Sequence, residues 1–147
     1  MARYQHTQFA YVIVITGVVA LAVAAYVMYG AGFTWPTLAV LMVLGISLAL
    51  FPSLTAAVED DVLKLWFGPG VIRRTFLLRD IDFVQVVRNR WYWGWGIRWS
   101  PRGWLYNVSG LDAVELLMRN GKRYRIGTDE PQALAQAIQE GIERTRR

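Results

Sequence analysis

The sequence has no cysteine and a single histidine, His6. The first absence removes disulfides, thiolate metal sites and a cysteine nucleophile; the second leaves one imidazole, near the N-terminus, for general-base or metal work. Charge is missing from a longer stretch, since residues 4–58 contain no Asp, Glu, Lys or Arg. That window excludes the intramembrane carboxylates and cations on which ion pathways and proton relays are built, and argues against a transporter or channel made from this segment alone.

What fills the window is two apolar runs, residues 9–29 and 35–54. Each is close to the ~20 apolar residues that cross a ~30 Å hydrocarbon core as a helix, so the sequence predicts a two-span hairpin. Gly30 and Gly32 break the first run and Pro36 suits the first turn of the second. A cleaved signal peptide fits poorly: the first run is longer than a usual signal core, only Arg3 precedes it, and no small-residue cleavage site follows. Arg3 before the hairpin and Lys64, Arg73 and Arg74 after it lie on one side, which the positive-inside rule makes cytoplasmic. Thr16, Tyr26 and Ser47 supply hydroxyls that can bond back to the helix backbone, and Tyr11, Tyr26, Tyr29, Phe33 and Trp35 suit an interfacial aromatic belt. Gly17, Ala20 and Ala24 in the first span, with Gly45 and Ala49 in the second, are the candidate seam for an oligomer, or else ordinary span composition.

The remaining roughly 90 residues suffice for one small domain. Nearly all of the net charge of +5 lies there, mostly as Arg, which favours phosphate and carboxylate contacts. After Pro52 the pattern becomes short alternating segments between dense turn signals, which reads as antiparallel strands. Strands are expected at 53–58, 62–67, 71–76, 82–87, 93–99, 103–107, 113–118 and 122–126. Asn120-Gly121 favours a type I′ hairpin turn. Thr128 or Asp129, followed by Pro131, can start a helix whose Leu134, Ile138 and Ile142 recur at intervals of four. The expected fold class is thus an α+β membrane protein, with a transmembrane hairpin over 1–52 and, over 53–147, a bent sheet or partly open small β-barrel of about seven strands capped by one helix near 130–144.

Several spaced pieces agree in order with one family: Trp91-Tyr92-Trp93-Gly94-Trp95-Gly96-Ile97-Arg98, Gly103-Trp104, Tyr106-Asn107-Val108-Ser109-Gly110, Asp112-Ala113-Val114-Glu115, and Arg125-Ile126-Gly127-Thr128-Asp129-Glu130-Pro131. Over residues 53–142 the chain resembles the bacterial pleckstrin-homology-like domain proteins that carry one or two membrane helices ahead of the domain. The resemblance implies that fold and a membrane-tethered setting at the bacterial inner membrane; it brings no catalytic residue and no cofactor.

The aromatic segment has three readings. As a strand it places Trp91, Trp93, Trp95, Ile97 and Trp99 on one face, filling the core, with Gly94 and Gly96 allowing a bend. As a loop, Trp91, Tyr92 and Trp93 dip into the headgroup layer while Arg88, Arg90, Arg98 and Arg102 hold phosphates. The same residue types also suit a protein partner. The Gly-x-Gly here lacks the third glycine and the helix of a dinucleotide fingerprint. Glu59, Asp60 and Asp61 read as a solvated turn, and neither a metal site nor nucleic-acid binding is expected. The functional expectation is a non-enzymatic membrane-anchored module that binds anionic lipid or a protein partner; the rival is a structural subunit of a homo-oligomer or larger membrane complex.

Overall fold

The computed structural model describes residues 3–147. The segment leading into the first apolar run is a strand, β1 (Tyr4–Phe9), paired antiparallel with β2 (Ser53–Val58) from Tyr4↔Val58 to Phe9↔Ser53. Its composition carries no alternating signal, so the partner strand makes it a strand. Between them run α1 (Tyr11–Ala31) and α2 (Trp35–Leu50), which pack on each other. The ladder extends by one more bond, from the Ala10 amide to the Pro52 carbonyl at 2.9 Å. Only Ala10, Phe51 and Pro52 separate the paired strands from the helices.

α1 has 21 residues, a mean hydropathy of 2.4 over its most apolar window and no buried residue, and is long and apolar enough to cross a membrane. α2 has 16 residues, about 24 Å at 1.5 Å per residue, against a ~30 Å core. The second run therefore stops short of residue 54: Pro52 removes a donor and disfavours helix at Phe51, and Leu54 belongs to β2. Thr34 caps α2 by accepting from the Thr37 amide at 3.4 Å, with Pro36 in the first turn as expected.

The rest of the chain forms β3 (Val62–Phe67), β4 (Ile72–Leu77), a 3-10 turn (Leu78–Asp80), β5 (Ile81–Arg88), a second 3-10 turn (Trp91–Trp93), β6 (Gly96–Ser100), β7 (Gly103–Asn107), β8 (Asp112–Met118), β9 (Arg123–Gly127) and α3 (Pro131–Thr145). These make two open sheets, β1-β2-β3-β4 and β5-β8-β9-β7-β6, in place of a closed barrel of about seven strands. Closure would need two further pairings, β4 with β6 and β1 with β5, and all four are free edges. Nor is the second sheet wholly antiparallel, because β9 lies beside β7 and runs parallel to it.

The core between the sheets is built from alternate residues, Leu63, Leu65 and Phe67 on β3 against Val114, Leu116 and Ile126 on β8 and β9. Phe76 meets Tyr124 edge-on at 4.8 Å, and Phe67 lies 6.5 Å from Tyr106. α3 contacts β2, β5, β8 and the Leu78–Asp80 turn, burying Leu134, Ile138 and Ile142 as its period predicts. It bridges both sheets on one side; the opposite side, between β4 and β6, stays uncovered.

The β8–β9 hairpin forms where Asn120-Gly121 points, with a different turn. Among the described residues only glycines have positive φ, so Asn120 cannot occupy a type I′ turn; the Gly121 amide bonds the Met118 carbonyl at 2.9 Å and Gly121 takes φ +84°. The loop is thus the three residues 119–121, a tight turn closed by a left-handed glycine.

Candidate functional site

The site grows from the register of that hairpin, which sets Glu115 opposite Arg125. Arg125 Nε donates to Glu115 Oε2 at 2.8 Å, and both side chains are over 90% buried. Gln85 Nε2 donates to Glu115 Oε1 at 3.0 Å, and Arg125 Nη1 donates to Asn89 Oδ1 at 3.1 Å. Buried charge needs such company, since desolvation otherwise exceeds the Coulomb gain. The cover is Trp93, whose ring lies 5.1 Å from the Arg125 guanidinium.

Trp93 reaches that position because residues 91–99 are not one strand. Trp91–Trp93 form a 3-10 turn, closed by the Trp93 amide on the Arg90 carbonyl at 3.0 Å, and Gly94 at φ +72° turns the chain back before β6 begins at Gly96. An L side chain resists that φ, which breaks the expected alternation. The stripe does not fill the core: Trp91 is 79% and Trp99 71% exposed, Tyr92 and Trp95 are also exposed, and only Trp93 and Ile97 are partly covered.

A groove of about 480 Å³ on this face is lined by Arg88, Arg90, Tyr92, Trp93, Pro101, Arg102 and Arg125. Five residues singled out from the sequence, Arg88, Arg90, Tyr92, Trp93 and Arg102, therefore meet. Two do not join them. Trp91 stands outside, edge-on to Tyr92 at 5.7 Å, and Arg98 is turned back under the loop, donating to the Trp95 carbonyl at 2.8 Å. Arg90 donates to the Tyr92 hydroxyl at 2.6 Å. Glu115 neutralises Arg125, while no carboxylate among the described residues lies within 4.0 Å of Arg88, Arg90 or Arg102, not even Asp112, which faces Arg88 in the ladder. Three uncompensated guanidiniums beside an indole and a phenol suit a phosphate or carboxylate ligand.

His6 is held elsewhere. It lies 2.5 Å from Asp129 and 3.5 Å from Glu130, and the Tyr4 hydroxyl donates to Glu130 at 3.3 Å, latching β1 to the start of α3. Burial first, then the Glu130 charge and hydrogen bond, push the Tyr4 phenol well above its ordinary pKa. Burial likewise raises Tyr106, against an opposing pull from Arg74.

The small residues of the helices divide. Gly17, Ala20 and Ala24 share the partly covered face of α1, and a Cβ on Gly17 would come within 2.6 Å of Leu48, so these residues serve the packing of α1 on α2. Gly45 and Ala49 point outward from α2, with nothing within 4 Å of a Cβ on Gly45.

Sequence reasoning missed Glu115 and Arg125. The signal was present, because a three-residue loop at 119–121 sets them opposite each other, whereas the two-residue turn places Ile126 opposite Glu115 and slips every side chain by one.

No protein-family model and no curated protein sequence matches the chain.

Proposed function

We propose that the protein is a membrane-anchored module of pleckstrin-homology-like kind, which holds its two-sheet domain against the cytoplasmic face of the bacterial inner membrane to engage anionic lipid. The observation that carries this reading is the seamless join between ladder and helices: α1 and α2 leave the end of the β1–β2 pair with three intervening residues. A domain joined this way keeps one orientation toward whatever the helices occupy. α1 spans the bilayer and α2, shorter, returns through it by local thinning, helped by the flanking Phe33 and Phe51. Arg3, Lys64, Arg73 and Arg74 then sit on the cytoplasmic side.

The groove's placement supports the same reading. Its Arg88 adjoins Asn89, whose amide bonds the Leu111 carbonyl at 2.7 Å, and the neighbouring 108–110 loop touches Gln8, one residue from the end of β1. Arg88, Arg90 and Arg102 face anionic headgroups there, at ~1 kcal/mol per basic residue. The test is quenching of tryptophan fluorescence in the reconstituted full-length protein by brominated phosphatidylglycerol against brominated phosphatidylcholine. The combined Arg88→Gln, Arg90→Gln and Arg102→Gln variant is expected to lose the preference for the anionic quencher. An unchanged preference rejects the groove as the lipid-facing surface.

A further inference from the structure

The uncovered side of the domain is a cleft of about 320 Å³ bounded by β3 and β4 on one wall and β6 and β7 on the other. Leu65, Phe67, Ile72, Ile97 and Trp104 give it an apolar lining. Arg74 and Tyr106 reach into the same space, whereas Arg73, which pairs with Trp66, borders it from the outer face of β4. Among the described residues no carboxylate lies within 4.0 Å of either arginine. Arg74 is held in place by neutral groups: its guanidinium lies 5.7 Å from the ring centres of both Phe76 and Tyr124 and donates to the Tyr124 hydroxyl at 3.5 Å. Arg73 donates to the Gly70 carbonyl. The Tyr106 hydroxyl has no hydrogen-bond partner among the described residues.

The cleft opens beside the end of α2. Phe67, in its wall, meets Phe51 edge-on at 5.3 Å, and a Cβ on Gly68 would stand 2.9 Å from the Leu50 carbonyl oxygen. Val71, in the same β3–β4 turn, is 73% exposed. An apolar slot of this size, carrying one un-neutralised guanidinium and a free phenol next to the end of an apolar helix, matches an amphiphile with one anionic phosphate.

We propose that this cleft takes one anionic phospholipid from the adjoining leaflet, its phosphate against Arg74 and the Tyr106 hydroxyl and its upper chain against Ile72, Ile97 and Trp104. The inference rests on the reading of α1 and α2 as the membrane anchor and concerns a different surface from the Arg88–Arg90–Arg102 groove. A peptide strand added to the free edge of β4 or β6 would use backbone groups and leave Arg74 and Tyr106 without a role.

The experiment is native mass spectrometry of the delipidated full-length protein in mild detergent, titrated with short-chain phosphatidylglycerol or phosphatidylcholine, with inorganic phosphate as competitor. One phosphatidylglycerol adduct is expected, with phosphatidylcholine roughly tenfold weaker. Arg74→Gln should weaken the anionic lipid by about tenfold and Tyr106→Phe by less, while Arg74→Lys retains most of it. Arg73→Gln, on the outer face of β4, should bind as the unaltered protein does. Because Arg74 stacks on two rings, thermal midpoints are recorded alongside, and Tyr106→Phe supplies a variant that keeps the ring in place. Adducts indifferent to Arg74 and Tyr106, equal binding of the two lipids, displacement by inorganic phosphate, or a copurified peptide in place of lipid would each overturn the proposal. Release of the unaltered chain from membranes by alkaline carbonate would sink the anchoring reading and the proposal with it, whereas the outcomes above leave the anchor intact.

Discussion

At the scale of single residues, the most consequential contact is one that composition hides. Glu115 and Arg125 sit in a β8–β9 sequence that reads as ordinary alternation, yet both are buried, and Trp93 closes over them. Removing one partner strands the other charge away from water, which costs about 3–5 kcal/mol. Glu115→Ala is therefore expected to lower the thermal midpoint sharply, followed by circular dichroism in detergent, and to reduce the protection of Trp93 from aqueous quenchers. A midpoint within error of the parent would mean that the pair contributes little. The tryptophans were legible as a cluster, with core and surface both left open, because one backbone angle, the positive φ of Gly94, decides whether Trp91 to Trp95 continue a strand or leave it.

At the scale of elements, local signals worked where each element carries its own. The bounds of β2, β3 and β7 match the sequence pattern, and α3 buries the residues its four-residue spacing picks out. β1 lacked such a signal, since its strand character depends on a partner some 45 positions away. One consequence is practical. All six residues of β2 are buried, so a fragment beginning at Ser53 exposes an interior strand as an edge. Because Phe9 and Ser53 close the β1–β2 ladder directly opposite each other, an Asn-Gly turn in place of residues 10–52 should yield a soluble, monomeric domain, whereas the fragment from Ser53 should aggregate. Size-exclusion chromatography of the two distinguishes them, and equal behaviour would show that β1 is dispensable.

At the scale of the whole molecule, the join between helices and sheet matters more than either part. With only Ala10 on one side and Phe51 and Pro52 on the other, the domain has no hinge. Inserting a short Gly-Ser segment at both crossings should change stability little, since each doubling of a flexible loop costs only ~0.6 kcal/mol. It should nevertheless abolish the preference for brominated anionic lipid, because the arginine groove would no longer be held in one orientation. A preference that survives the insertions would show that the groove finds the surface without rigid coupling. What the sequence alone determined were the features that neighbouring residues specify together: the uncharged window with its two apolar runs, the strand positions punctuated by Gly, Pro and Asn, and the apolar stripe of α3. Only the tertiary structure decided the recruitment of β1, the parallel pairing of β7 with β9, the Glu115–Arg125 pair under Trp93 and the open side between β4 and β6. Each of these depends on which distant strand becomes a neighbour and in what register, and a chain read in order does not carry that information locally.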